Sequence, residues 1–119
     1  MWHVLVVEDD YLQADWLCDL LESEGLEVLG PVSSAEAARR LLDAMPVDAA
    51  ILDIKLQDGL CFGVARILVE NKVPFLFLTG SIGHVLPKEF QAIPLLLKPA
   101  EPSVLLDLLR RLLAKRAVP

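Results

Sequence analysis

Four short apolar runs, each ending on a polar side chain, constrain this chain more than any other feature. Val4–Val7 runs into Glu8, Asp9 and Asp10, Ala49–Leu52 into Asp53, Phe75–Leu78 into Thr79, and Leu95–Leu97 into Lys98. Helix-length stretches lie between them. Over Asp10–Glu24, the residues Leu12, Trp16, Leu17, Leu20 and Leu21 recur at helical spacing, and Gly25 supplies a stop. Ser33 with Glu36 three residues on reads as a capping box opening a helix to about Ala44, and Pro46 follows it. A turn through Gln57, Asp58 and Gly59 leads to a helix from about Leu60 to Glu70. Pro102 sits in the first turn of a last helix reaching about Lys115.

The strands read Trp2–Val7, Leu26–Val32, Val47–Leu52, Val73–Leu78 and Pro94–Leu97. Strands separated by helices imply crossover connections and a parallel sheet. Such a sheet is covered on both faces, so its strands run continuously apolar instead of alternating. The expected fold is α/β, a flavodoxin-like doubly wound five-stranded parallel sheet in the order 2-1-3-4-5 with helices on both faces. Gly80–Ile93 carries Gly80 and Gly83 with Pro87, and Pro94 follows it, so the fourth helix is expected to be short or irregular, over about Pro87–Ala92.

A length of 119 residues points to one domain, 1–119, large enough to bury a real core. Hydrophobic residues make up 55% and mean hydropathy is +0.51, yet no run of about 18 apolar residues appears, which argues against a membrane span. The acids Glu8, Asp9 and Asp10 interrupt the N-terminal apolar run, so no signal peptide is read and a cytoplasmic location is expected. A net charge of −6 argues against duplex binding, which needs a basic patch. Arg110, Arg111, Lys115 and Arg116 do cluster, but at the end of a helix where cations complement the macrodipole. Cys18 and Cys61 fit no metal spacing and are expected as reduced, buried thiols. Trp2 and Trp16 are expected in or near the core.

Ligands of open α/β sheets bind beyond the carboxyl ends of the strands, where Glu8, Asp9, Asp53, Thr79 and Lys98 all fall. Two like charges about 4 Å apart repel by roughly 4 kcal/mol at an effective dielectric near 20. A cluster of three carboxylates therefore calls for a cation. Oxygen donors completed by water suit Mg²⁺ better than Zn²⁺, and neither His3 nor His84 fits these positions. A carboxylate can also take a phosphoryl group. Asp53, alone at the end of a central strand, is the candidate, with Lys98 as the cation and Thr79 as the hydroxyl for phosphoryl oxygens.

These residues resemble the response-regulator receiver domain of two-component signalling. The matching segments are Val6-Val7-Glu8-Asp9-Asp10, Leu52-Asp53-Ile54-Lys55-Leu56 with Asp58-Gly59, Leu78-Thr79-Gly80 and Leu97-Lys98-Pro99, in order across essentially the whole chain. Gly30-Pro31-Val32 and Val73-Pro74-Phe75 are similar to stretches of small stand-alone receivers. The resemblance implies that Asp53 takes phosphate from a histidine kinase or a histidine phosphotransfer protein. It implies Mg²⁺ held by Glu8, Asp9, Asp53 and the backbone carbonyl of Lys55, phosphate contacts from Thr79 and Lys98, and a cis Lys98–Pro99 bond. Signalling would then proceed by contact with a downstream protein.

One position departs from the family pattern. Receivers commonly carry Tyr or Phe three residues before the lysine, where this chain has Leu95. A readout through reordering of Gly80–Ile93 is the expectation that follows. The leucines of the last helix, Leu105, Leu106, Leu108, Leu109, Leu112 and Leu113 with Val104, spread over about 200° of its surface, which fits either packing or a homodimer face. Two rival functions stand beside the receiver. A phosphorylation-independent interaction module is one. A haloacid-dehalogenase-like phosphohydrolase is the other, disfavoured because Lys55 stands where its second Asp would be. No Gly-rich nucleotide motif is present.

Overall fold

The computed structural model describes residues 1–80 and 86–117. Seven strands and four helices follow in the order β1 (His3–Val7), α1 (Tyr11–Ser23), β2 (Glu27–Val32), α2 (Ala35–Ala44), β3 (Ala49–Leu52), β4 (Lys55–Leu56), β5 (Gly59–Leu60), α3 (Phe62–Glu70), β6 (Phe75–Thr79), a 3₁₀ turn (Lys88–Phe90), β7 (Leu95–Leu97) and α4 (Pro102–Ala117). The main sheet is parallel in the order β2-β1-β3-β6-β7. Leaving out the small β4–β5 hairpin, this is the expected flavodoxin-like order. The short helix expected over Pro87–Ala92 is the 3₁₀ turn. Residues 81–85, His84 among them, lie outside the described residues.

Alternate residues of the central strands feed two cores. Leu5, Val7, Ala50, Leu52, Phe75 and Phe77 face Ala38 of α2 and Val64, Ala65 and Leu68 of α3. Val4, Val6, Ala49, Ile51, Leu76 and Leu78 face Leu17 and Leu21 of α1 and Leu105, Leu109, Leu112 and Leu113 of α4. Burial on both faces explains the unbroken apolar runs. Cys18 and Cys61 are free and buried, as expected.

The structure corrects several details. Leu12 is 75% exposed, because the buried stripe of α1 is Ala14, Leu17, Cys18 and Leu21 and Leu12 points off it. Trp2 and Trp16 are surface residues, each more than a third exposed. Trp2 precedes β1 and lies in a shallow groove with Leu26, Leu109 and Leu113, while Trp16 flanks the α1 stripe. Most of the α4 leucines pack inward and Val104 is left exposed. Helix α2 is capped by Ser34, whose hydroxyl accepts from the Ala37 amide. The expected cap, Ser33, instead donates its hydroxyl to Gln57 Oε1 at 3.1 Å. Helix α3 begins at Phe62, because Leu60 is taken by the unforeseen hairpin.

One glycine is required by the strand geometry beside the site. The register of β1 on β2 slips between Leu5 and Val7, and Gly30 on β2 sits there at φ +98°. A Cβ at Gly30 would lie 2.9 Å from both the Val6 carbonyl oxygen and the Val32 nitrogen, so only glycine fits. The slip brings Val32 opposite Val7, and the Val32 carbonyl accepts from the Glu8 amide at 2.9 Å. Both Gly30–Pro31 and Lys98–Pro99 are cis.

Candidate functional site

Strand register assembles the site. Val7 pairs with Leu52, so the residues that follow them, Glu8 and Asp53, leave the sheet side by side. The Asp53 amide donates to the Val7 carbonyl at 2.9 Å, which fixes that junction. Thr79 pairs with Leu97, and the Lys98 amide donates to the Thr79 carbonyl at 2.9 Å. Four strand ends thus deliver Glu8, Asp53, Thr79 and Lys98 to one edge. Asp10 caps α1, its carboxylate accepting from the amides of Leu12 and Gln13.

The side chains converge as well. Carboxylate oxygens of Glu8, Asp9 and Asp53 lie within 4.8 Å of one another. Lys98 Nζ is 2.9 Å from Asp53 Oδ2 and also pairs with Glu8 Oε1. Glu8 Oε2 accepts from the Asp10 amide at 3.1 Å. Glu8, Asp53 and Thr79 are buried, whereas Asp9 is exposed. A cleft of roughly 420 Å³ opens over the cluster, lined by Asp9, Asp10, Gln13, Asp53, Lys55, Thr79, Gly80 and Lys98. The residues named from sequence therefore meet in one place, and Lys55 joins them at the rim. Gln13 was not foreseen, although it stands three residues after the α1 cap, on the first helical turn.

Electrostatics follow from burial and proximity. Burial pushes the Glu8 carboxyl up to about 7; the Lys98 ammonium and the Asp10 amide oppose the rise, and neighbouring Asp53 adds to it. Burial disfavours the Lys98 ammonium, but the hydrogen bonds it donates to Asp53 and Glu8 outweigh this and hold the amine above its ordinary value. Burial, with the charge of Asp53 behind it, pushes the Cys61 thiol up to about 12, so it is no nucleophile. Three carboxylates here face one ammonium. That surplus of negative charge, made of oxygen donors beside an open cleft, fits a hard divalent cation and leaves room for its water ligands.

Topology and cleft together define a signalling receiver of the kind used in two-component systems. The chain belongs to the response regulator receiver domain family, whose model matches residues 4–110. It is 31% identical over 117 residues to the aerobic respiration control protein ArcA of Escherichia coli K12, covering 95% of this chain and 49% of that protein. The chain spans about half the length of the curated relatives it matches. Among solved structures it is similar to SdrG from Sphingomonas melonis Fr1, with a TM-score of 0.83, 32% identity, and coverage of 95% of this chain and 97% of that one. It also shares its fold, at 22% identity and a TM-score of 0.83, with the receiver domain of the sensor histidine kinase PA1611 from Pseudomonas aeruginosa PAO1. That match covers 95% of this chain and 98% of the other, which holds a magnesium ion in its active site cleft. Receiver domains are signalling modules, not classical enzymes. Among the described residues no helix is long and apolar enough to cross a membrane.

Proposed function

We propose that residues 1–119 act as one receiver unit that accepts a phosphoryl group on Asp53, with Mg²⁺ held by Glu8, Asp9, Asp53 and the Lys55 carbonyl. The observation that carries this reading is the convergence of three carboxylates within 4.8 Å, with the Lys98 ammonium 2.9 Å from Asp53. The donor is a phosphohistidine on a histidine kinase or phosphotransfer protein. Its P–N bond breaks, the electron pair returns to the imidazole, and an Asp53 oxygen forms the new P–O bond. Mg²⁺, when bound, neutralises charge on the phosphoryl oxygens. Lys98 holds one of those oxygens and Thr79 donates its hydroxyl to another. The magnesium ion in the PA1611 cleft, in a protein alike in fold, is in keeping with this donor set.

The signal leaves by protein contact in the cytoplasm. Leu95 stands where an aromatic residue is common, and it is 37% exposed at the start of β7. This supports a readout that uses the 80–93 segment, of which residues 81–85 lie outside the described residues. Exposure of Leu97 and Val104 supports a second copy docking on β7 and α4.

Incubation with acetyl phosphate and Mg²⁺, followed by intact mass, tests the reading. The expected result is a gain of one phosphoryl group that Asp53→Ala abolishes. No gain in the unaltered protein would favour the phosphorylation-independent module. Sustained turnover of external phosphoesters would favour the phosphohydrolase.

A further inference from the structure

The Asp58-Gly59 pair belongs to the matching motif, yet neither residue enters the chemistry above. The structure places Asp58 at the tip of the β4–β5 hairpin, with its carboxylate turned to another element. Asp58 Oδ1 accepts from the Ala35 amide at 2.8 Å and Oδ2 from the Glu36 amide at 3.2 Å. Both amides belong to the first turn of α2, where backbone donors lack helical partners. Two neighbouring contacts repeat the tie. The Gln57 amide donates to the Ser33 carbonyl at 3.1 Å, and Ser33 Oγ donates to Gln57 Oε1 at 3.1 Å.

The hairpin needs such a tie. It runs from Lys55 to Leu60, with Lys55 opposite Leu60 and Leu56 opposite Gly59, and of these six residues only Leu56 is buried. Its base is closed by the Cys61 amide on the Ile54 carbonyl at 2.8 Å. Upstream, Asp53 is held independently by the Val7 carbonyl and by Lys98. The Lys55 peptide lies between that fixed point and the Asp58 anchor.

We infer that Asp58 is a positioning residue: by fastening the hairpin tip to the start of α2 it fixes the Lys55 carbonyl at the cation site. The inference rests on the receiver reading given above. Support comes from the Asp58 carboxyl itself. The Ala35 amide first, and the Glu36 amide with it, hold its pKa below the usual carboxylate range, as an anion engaged with backbone donors requires.

The test is a Mg²⁺ titration followed by amide chemical shifts, on the unaltered protein, Asp58→Ala, Asp58→Asn and Ser34→Ala. Ser34→Ala removes a cap from the same helix without touching the hairpin. The expected result is a loss of Mg²⁺ affinity in Asp58→Ala of roughly tenfold, the low end for a residue that orients a metal ligand. Asp58→Asn, which keeps one acceptor oxygen, loses less, and Ser34→Ala stays near the unaltered value. Hydrogen exchange of the Lys55–Leu60 amides, measured without metal, is faster in Asp58→Ala than in Ser34→Ala. Equal affinity in Asp58→Ala and the unaltered protein would overturn the inference alone. Equal losses in Asp58→Ala and Ser34→Ala, or in Asp58→Ala and Asp58→Asn, would overturn it in favour of general destabilisation or of charge. No Mg²⁺ binding by the unaltered protein would remove the receiver reading and the inference together.

Discussion

Lys98 and Asp53 meet across 45 residues of chain, with Nζ 2.9 Å from Oδ2. The same ammonium pairs with Glu8, so one cation serves two buried carboxylates. Replacing Lys98 with Met leaves both without a counter-charge. Removing one partner of a buried ion pair costs about 3 kcal/mol or more. Urea unfolding of Lys98→Met at pH 8 without metal is expected to show a loss of that order. Added Mg²⁺ recovers part of it, because a ligand bound only by the folded state stabilises that state.

Asp9 has the opposite character. It is exposed, its carboxylate crowds those of Glu8 and Asp53, and among the described residues no ion pair engages it. Asp9→Asn removes a repulsion of about 1 kcal/mol at a solvent-like dielectric. The variant is expected to gain stability of that size without metal while binding Mg²⁺ more weakly. Thermal melts with and without Mg²⁺ check both, and a less stable metal-free variant would contradict the expectation.

Asp58 gives a pH dependence of definite sign. Its folded pKa lies below the unfolded value, so the folded state releases the proton more readily. Its contribution to stability is present above the usual carboxylate range and is lost as pH falls through the lowered value. Asp58→Asn removes this titration. Comparing urea midpoints from pH 7 down to acid pH should show a shallower decline for Asp58→Asn than for the unaltered protein.

Among the described residues of the irregular segment, Phe90 is expected to be the most sensitive. It is 1% exposed and stands 5.7 Å from the Phe62 ring, 6.0 Å from Phe77 and 6.5 Å from Phe75, centroid to centroid. The Arg66 guanidinium lies over it at 5.7 Å and pairs with Glu89 at 2.7 Å. Phe90→Ala empties a packed site and should cost about 3–5 kcal/mol. Arg66→Ala removes a half-exposed pair and a surface cation–π contact, and should cost about 1 kcal/mol or less. Chemical denaturation of the two variants checks the ranking.

Local patterning made most of the architecture legible. A strand buried on both faces must be apolar throughout, so β1, β3 and β6 announced both themselves and a parallel sheet. Gly25 ends α1 at φ +78°, the conformation a helix stop favours, and Asp10 caps the start as its type suggests. Exposure on a helix was read less well. Leu12 and Val104 are as apolar as their buried neighbours, and only the angle at which each helix settles on the sheet decides which of them faces water.

That Glu8, Asp53, Thr79 and Lys98 would be neighbours was legible because each ends an apolar run, and strand ends on one side of a parallel sheet lie together. Their mutual pairing was not. That Lys98 would hold Glu8 as well as Asp53, and that Asp58 would reach across to the first amides of α2 beside the Ser34 cap, depend on contacts over 90 and 23 residues of chain. The amino-acid order alone determined which chemical groups reach the sheet edge, because strand direction and period are local properties. Only the tertiary structure decided distances and partners there, because these depend on register between strands and on helix seating, which no single segment encodes.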